Sequence, residues 1–205
     1  SPIIRSLGFH FDSNLSRILS VSKSSYFHIR RIRQLLPLLD DPTLQLLVSS
    51  LVLFRIDYCN SLYYSLPDTT LYPLSKAFNS AARLVSRTSY FSHISLSLVL
   101  LHWLPLKYRV IFKICVLMFK VKNCPSPSYL KSLIIKPRKS GLRSSSLHHS
   151  SIFTIKRSFA KRSFSFSGPF LWNSLPHSLT NSTSLTLFRR GLKTHLFSKF
   201  MTERH

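Results

Sequence analysis

The sequence predicts a mainly α protein: a helical body after a short N-terminal β segment, then a basic serine-rich linker, then a small C-terminal segment with short strands and one helix. Three observations carry this reading. Apolar residues recur at three- and four-residue spacing through most of the stretch before residue 135. Composition turns abruptly to serine, arginine and lysine after Ile135. The apolar fraction of 44% over 205 residues is enough for a real core.

Residues 3–11, IIRSLGFHF, have β-type composition with a central glycine and are read as one short strand or hairpin arm ending at Asp12-Ser13-Asn14. A first helix follows over Ser16 to Leu36, with Leu15, Ile18, Leu19, Ile29, Ile32 and Leu36 inward and Pro37 ending it. Asp41-Pro42 opens a second helix, the aspartate capping the first turn. It is apolar almost all round and therefore central. Arg55 and Asp57 near its end would pair with each other or hold a junction. Asp68 or Thr69 caps a third helix over about residues 70–88, with Pro73 in its first turn. Small residues at 77, 81 and 82 would let a neighbour approach closely.

Pro105 starts a fourth helix whose Val110, Ile111, Ile114, Leu117, Met118 and Val121 follow core spacing. Beyond the linker, Phe153, Ile155, Phe159, Phe164 and Phe166 alternate with polar residues as short strands would, and Gly168-Pro169 reads as a turn. Ser182 or Ser184 caps a last helix over about 184–200, with Leu185, Phe188, Leu192, Leu196 and Phe200 inward.

Charge is the outlying property: 29 Lys and Arg face six acidic residues, a formal net charge of +23. A body so charged calls for a polyanionic partner, nucleic acid first and an anionic membrane surface or acidic protein second. Neither apolar run, 44–56 or 94–104, supplies the ~20 uncharged residues of a spanning helix. Both are read as buried helices, with no transmembrane segment. Three cysteines and no leader pattern point to a reduced, intracellular protein.

Six acidic residues leave no carboxylate cluster for a metal-dependent polymerase or nuclease site. Paired close-spaced zinc ligands, a glycine-rich phosphate loop and a G-x-S-x-G elbow are also missing from the sequence. His102 reads as a core or junction residue rather than a general base. The chain is thus expected to be non-catalytic, with no cofactor or metal of its own.

The binding candidates are cations that share helix faces. Lys76, Arg83 and Arg87 fall together on the third helix, Arg109, Lys113 and Lys120 within a narrow arc of the fourth, with Phe112 and Phe119 beyond them. Arg30, Arg31 and Arg33 stand on the outer face of the first. Such flanks suit phosphates, with rings available to sugars or bases. Trp103 and Trp172 are read as structural anchors, the latter with Phe170 and Leu175.

Several stretches, in order, resemble one family: FRIDYCNSLYYSLP (54–67), NSAARLVSRT (79–88), LHWLPLKYRVIFKICVLMFK (101–120), PSYLKSLI (127–134), SFSGPFLWNSLP (165–176) and SLTLFRRGLKTHLF (184–197). They are similar to the C-terminal part of the reverse-transcriptase polyprotein of non-LTR retrotransposons (LINEs), of the Jockey-like and chicken-repeat-like clades. SLGFHFDSNLS (6–16) resembles the end of the palm in the same proteins, and the junction after it is shorter than the family pattern. The resemblance implies an end of palm at 1–15, a helical thumb-like domain at 16–135, a linker at 136–152 and a C-terminal aromatic and basic segment at 153–205. It implies a partner in RNA, DNA or their hybrid, and in the palm of the polymerase. It also implies residence in nucleus and cytoplasm as part of a ribonucleoprotein. The parent polymerase would use magnesium, but its catalytic Tyr/Phe-x-Asp-Asp motif has no counterpart here. A basic helical module on an anionic surface, or a relic without activity, stands as the alternative.

Overall fold

Two three-residue strands, β1 (Ile4–Ser6) and β2 (Phe9–Phe11), pair antiparallel with Arg5 opposite His10. They belong to a computed structural model that describes residues 4–6, 9–11, 16–124, 128–134 and 160–203. Most of the other described residues are helical. The linker expected at 136–152, and Phe153, Ile155 and Phe159, lie outside the described residues. By contact the chain divides into two compact units, Ser1–Asn60 with Leu66–Leu106, and Ser61–Ser65 with Lys107–His205.

In the first unit, α1 (Ser16–Leu35) packs most extensively on α4 (Asp68–Val85). Ile18, Ile29 and Ile32 are buried as expected, but Leu19 faces outward. Ser22 and Ser25 take the inward places instead. On α4, which packs against α1, Ala77, Ala81 and Ala82 are fully buried, small residues that let a neighbouring backbone approach. Ser22 Oγ meets its own helix, donating to the Ile18 carbonyl at 2.7 Å.

The second expected helix is continuous but not uniform: α2 (Asp41–Val48) runs through a π turn (Ser49–Leu53) into α3 (Phe54–Asp57). Its cap differs from the expected one. Asp40 is the N-cap, through its carbonyl, which accepts from Leu44 N at 2.9 Å, and Asp41 sits inside the first turn with its side chain free to reach elsewhere. Leu44, Val48, Val52 and Ile56 are wholly buried, whereas Leu46 and Phe54 are 68% and 71% exposed. The helix is therefore central along one stripe only. Asp57 accepts from Asn60 Nδ2 at 3.1 Å, which holds the junction, while Arg55 donates to Ser24.

α4 begins at Asp68 with Pro67 as N-cap, so neither Asp68 nor Thr69 caps it and Pro73 stands in the second turn. There proline withholds its N–H from the Thr69 carbonyl, a defect tolerated near a helix start. The helix ends with Arg87 at φ 50°, Thr88 N bonding to the Arg83 carbonyl and Arg87 N to that of Leu84. α5 (Ile94–Leu100) ends in the same way on His102 at φ 52°. The stretch expected as a buried helix over 94–104 is half outward, with Leu96 and Leu100 exposed and Leu98 and Trp103 buried.

The second unit is built on α6 (Leu106–Asn123), with α7 (Ser128–Leu133), α8 (Phe164–Asn173), α9 (His177–Thr180) and α10 (Leu185–Thr202). Val110, Ile114, Met118 and Val121 are buried, and Ile111 and Leu117 half-buried. α10 follows expectation closely: Ser184 caps it, accepting from Leu187 N at 3.2 Å, and Phe188, Leu192, Leu196 and Phe200 are buried. α8 overturns two expectations. Phe164 and Phe166 lie in a helix, not strands, and Gly168-Pro169 lies inside it rather than forming a turn. Gly168 is there for contact: a Cβ would stand 2.6 Å from Met118 Sδ. No described helix is long and apolar enough to cross a membrane.

Candidate nucleic-acid interface

α1 and α4 each bury one stripe against the other, and the outer edges beside those stripes carry cations and tyrosines. At about 100° per residue, Tyr26, Arg30 and Arg33 share one edge of α1. Tyr72, Lys76, Ser80 and Arg83 share one edge of α4. The two edges adjoin, because Arg33, Ser80, Arg83, Arg87 and Tyr90 line one open depression of about 410 Å³.

Each cation here has its own surroundings. Lys76 is exposed and its ammonium lies 4.6 Å from the Tyr72 ring centroid. Tyr72 first, and then the nearby Tyr90 and Tyr26, raise its pKa above the ordinary lysine value. Arg83 is half-buried, its guanidinium 5.5 Å from the Tyr90 ring centroid. Its Nη2 donates to the Ser92 carbonyl at 3.3 Å, and its Nε is buried without a hydrogen-bond partner. Tyr90 itself is 70% exposed, so the Arg83 and Tyr90 planes present a mixed cationic and aromatic surface to solvent.

Arg87 is employed differently from the sequence expectation. It forms an ion pair with Asp41 at 3.1 Å, and its Nη2 donates to the Leu39 carbonyl at 3.0 Å. Its charge is spent on fastening the start of α2 to the end of α4. Arg31 turns to another side of α1 and lies over the Phe27 ring at 5.5 Å.

Arg109, Lys113 and Lys120 belong to the second unit and share one edge of α6. Burial, then the neighbouring Arg109 charge, lowers the pKa of Lys193 on α10, so positive charge is crowded there. The expected aromatic companion is missing from this edge. Phe119 is buried, stacked on Phe188 with centroids 4.5 Å apart, and Phe112 is half-buried. Helical spacing alone could not separate a solvent flank from a second packing face. Phe119 takes the latter because α10 meets α6 through Phe188.

Trp103 is buried beside Phe78, and Trp172 beside Phe119 and Phe188. Phe170, grouped with Trp172 in the sequence, is instead exposed and stacks on Phe166. Phe188 and Phe200, which a lipid-bound last helix would turn outward, are buried. Cys115 is fully buried, and burial pushes its thiol up to about 12. The described residues hold no group of three potential metal ligands.

What the sequence reading missed is the tyrosines. Tyr26 and Tyr72 each stand four residues before a cation, Arg30 and Lys76, and that spacing places both on one helix face. Comparison with family models, curated proteins and solved structures gives no match for this chain.

Proposed function

We propose that the chain is a non-catalytic nucleic-acid-binding module, the thumb and C-terminal part of a retrotransposon reverse transcriptase, which clasps the template–primer backbone. The observation that supports binding is the shared edge of α1 and α4, with Tyr26, Arg30, Arg33, Tyr72, Lys76 and Arg83, and Tyr90 from the turn beyond α4, with no carboxylate among them. The polymerase assignment rests on the ordered sequence segments. Lys76 and Arg83 stand two helical turns apart, about 10 Å, which suits successive phosphates rather than one. The tyrosines offer flat apolar surface to sugars between those contacts. Catalysis would belong to the palm of the parent polymerase, whose magnesium ligands have no counterpart among these residues.

The test is fluorescence anisotropy of the full chain with a labelled RNA–DNA hybrid duplex across a salt series. Wild type is expected to bind with a log–log slope of several units. The triple substitution Arg30→Gln, Lys76→Gln and Arg83→Gln is expected to lower that slope by roughly 2 to 3, at about 0.9 per lost phosphate contact. Equal slopes for the two proteins would overturn the reading.

A further inference from the structure

The edge of α1 opposite the one just described faces a second depression, of about 360 Å³, which the sequence reading did not single out. Arg17, Ser20 and Ser24 of α1 form one wall, and Phe54, Arg55 and Tyr58 the other. Arg55 donates from Nη1 to Ser24 Oγ at 2.9 Å, a neutral partner that leaves the guanidinium charge uncompensated. Among the described residues it makes no ion pair. The Arg17 guanidinium lies 5.2 Å from the Tyr58 ring centroid on the same side. Phe54 is 71% exposed, although it sits in the most apolar stretch of the first unit and its helical neighbours Leu53 and Ile56 are buried. On the same edge, burial first and the Arg55 charge second lower the pKa of His28.

Two guanidiniums, two hydroxyls and an uncovered phenyl ring are the complement of one nucleotide: phosphate for the arginines and serines, base for the ring. A duplex hides its base faces, so the ring favours an unpaired strand. We propose that this depression binds an unpaired nucleotide, its phosphate on Arg55 and Arg17 and its base against Phe54, so that α1 has duplex on one edge and a single-stranded extension on the other. This rests on the reading of the chain as a nucleic-acid binder.

Anisotropy with the full chain compares a blunt hybrid duplex, the same duplex carrying a short single-stranded extension, and the single strand alone. Wild type is expected to bind the extended duplex about tenfold more tightly than the blunt one, the worth of one stacked base with its phosphate. Phe54→Ala is expected to erase that difference while leaving blunt-duplex affinity unchanged. Arg55→Gln should do the same, whereas Lys76→Gln should weaken both duplexes alike. Phe54 is exposed, so its substitution leaves the core intact, and circular dichroism checks this. Equal binding of blunt and extended duplex by wild type, or a preference that survives Phe54→Ala, overturns the inference and leaves the duplex reading standing. Single-strand binding that requires Phe54 and Arg55, without duplex binding, overturns the duplex reading and sustains this one. No binding to any of the three overturns both.

Discussion

Gly168 shows how a single residue can mislead a sequence reading and yet be required by the fold. Next to Pro169 it looks like a turn, but it lies inside α8 against Met118, where a Cβ would come within 2.6 Å of Sδ and 3.2 Å of Phe164 Cε2. Two effects compete in Gly168→Ala: alanine favours the helix by about 1 kcal/mol, and overpacking costs about 1–3 kcal/mol. Met118 is fully buried and has nowhere to swing, so the clash wins and the variant is expected to lose about 1 kcal/mol, read from urea unfolding midpoints. With Met118→Ala already in place the same substitution should stabilise instead. A change of the same sign in both backgrounds would show that Met118 contact is not what selects glycine. The candidate site was legible residue by residue to a similar degree. Arg33, Lys76 and Arg83 were visible as cations at helical spacing, and Arg33 and Arg83 do line one depression. The pairing of Arg87 with Asp41 was not visible, because the two residues are brought together only by the packing of α2 on α4. His102 stands at a junction and not in the core: it is exposed and takes the left-handed place at the end of α5 that glycine usually fills.

Among the elements, the long amphipathic helices α1, α4, α6 and α10 lie close to where periodicity puts them, since each buries one continuous stripe. Irregularities were illegible. The π turn at Ser49–Leu53 adds a residue to a helical turn, with Ser50 Oγ donating to the Leu46 carbonyl at 2.9 Å, and no local signal distinguishes it from α-helix. The aromatic alternation before Gly168 suggested strands because period two and the first turn of a helix are indistinguishable over three residues. One tie between elements was equally hidden and has a pH signature. Tyr108 near the start of α6 donates its hydroxyl to Glu203, just past α10, at 2.6 Å. That bond lowers the Glu203 pKa, and burial followed by the same bond raises Tyr108 well above the ordinary tyrosine value. A lowered carboxyl stabilises the fold above its unfolded value of 4.5 and stops doing so as pH falls through its folded value. A raised phenol stabilises below its unfolded value of 10.0 and stops as pH rises past it. The thermal midpoint followed by circular dichroism should therefore drop at both ends, and Glu203→Gln should flatten the acid arm, by a small amount because Glu203 is exposed. Parallel acid arms in the two proteins would mean that the tie contributes no stability.

Over the whole molecule, the question raised by a charge of +23 is how much of it is organised into sites. The two units answer differently. In the first, cations alternate with exposed tyrosines along adjoining helix edges, and its ion pair between Arg87 and Asp41 takes one arginine out of play. In the second, Arg109, Lys113 and Lys120 line one edge of α6, but the ring that would accompany them, Phe119, is stacked inside on Phe188. Phosphate contacts need only charge, so both edges can contribute to affinity; stacking on sugars and bases needs the rings, so only the first can add a salt-independent part. Two triple substitutions separate these contributions: Arg30, Lys76 and Arg83 to glutamine, and Arg109, Lys113 and Lys120 to glutamine. Each is titrated with the hybrid duplex over the same salt series. The first is expected to lower the slope by roughly 2 to 3. The second is expected to lower it comparably wherever its three cations meet phosphates, since charge alone sets the slope. A third variant, Tyr26→Ala with Tyr72→Ala and Tyr90→Ala, should leave the slope unchanged and shift the whole line to weaker binding by roughly tenfold or more, as lost stacking does. If the tyrosine triple gave no loss, the charge would act as a diffuse field over both units, and the shared edge of α1 and α4 would not be a site.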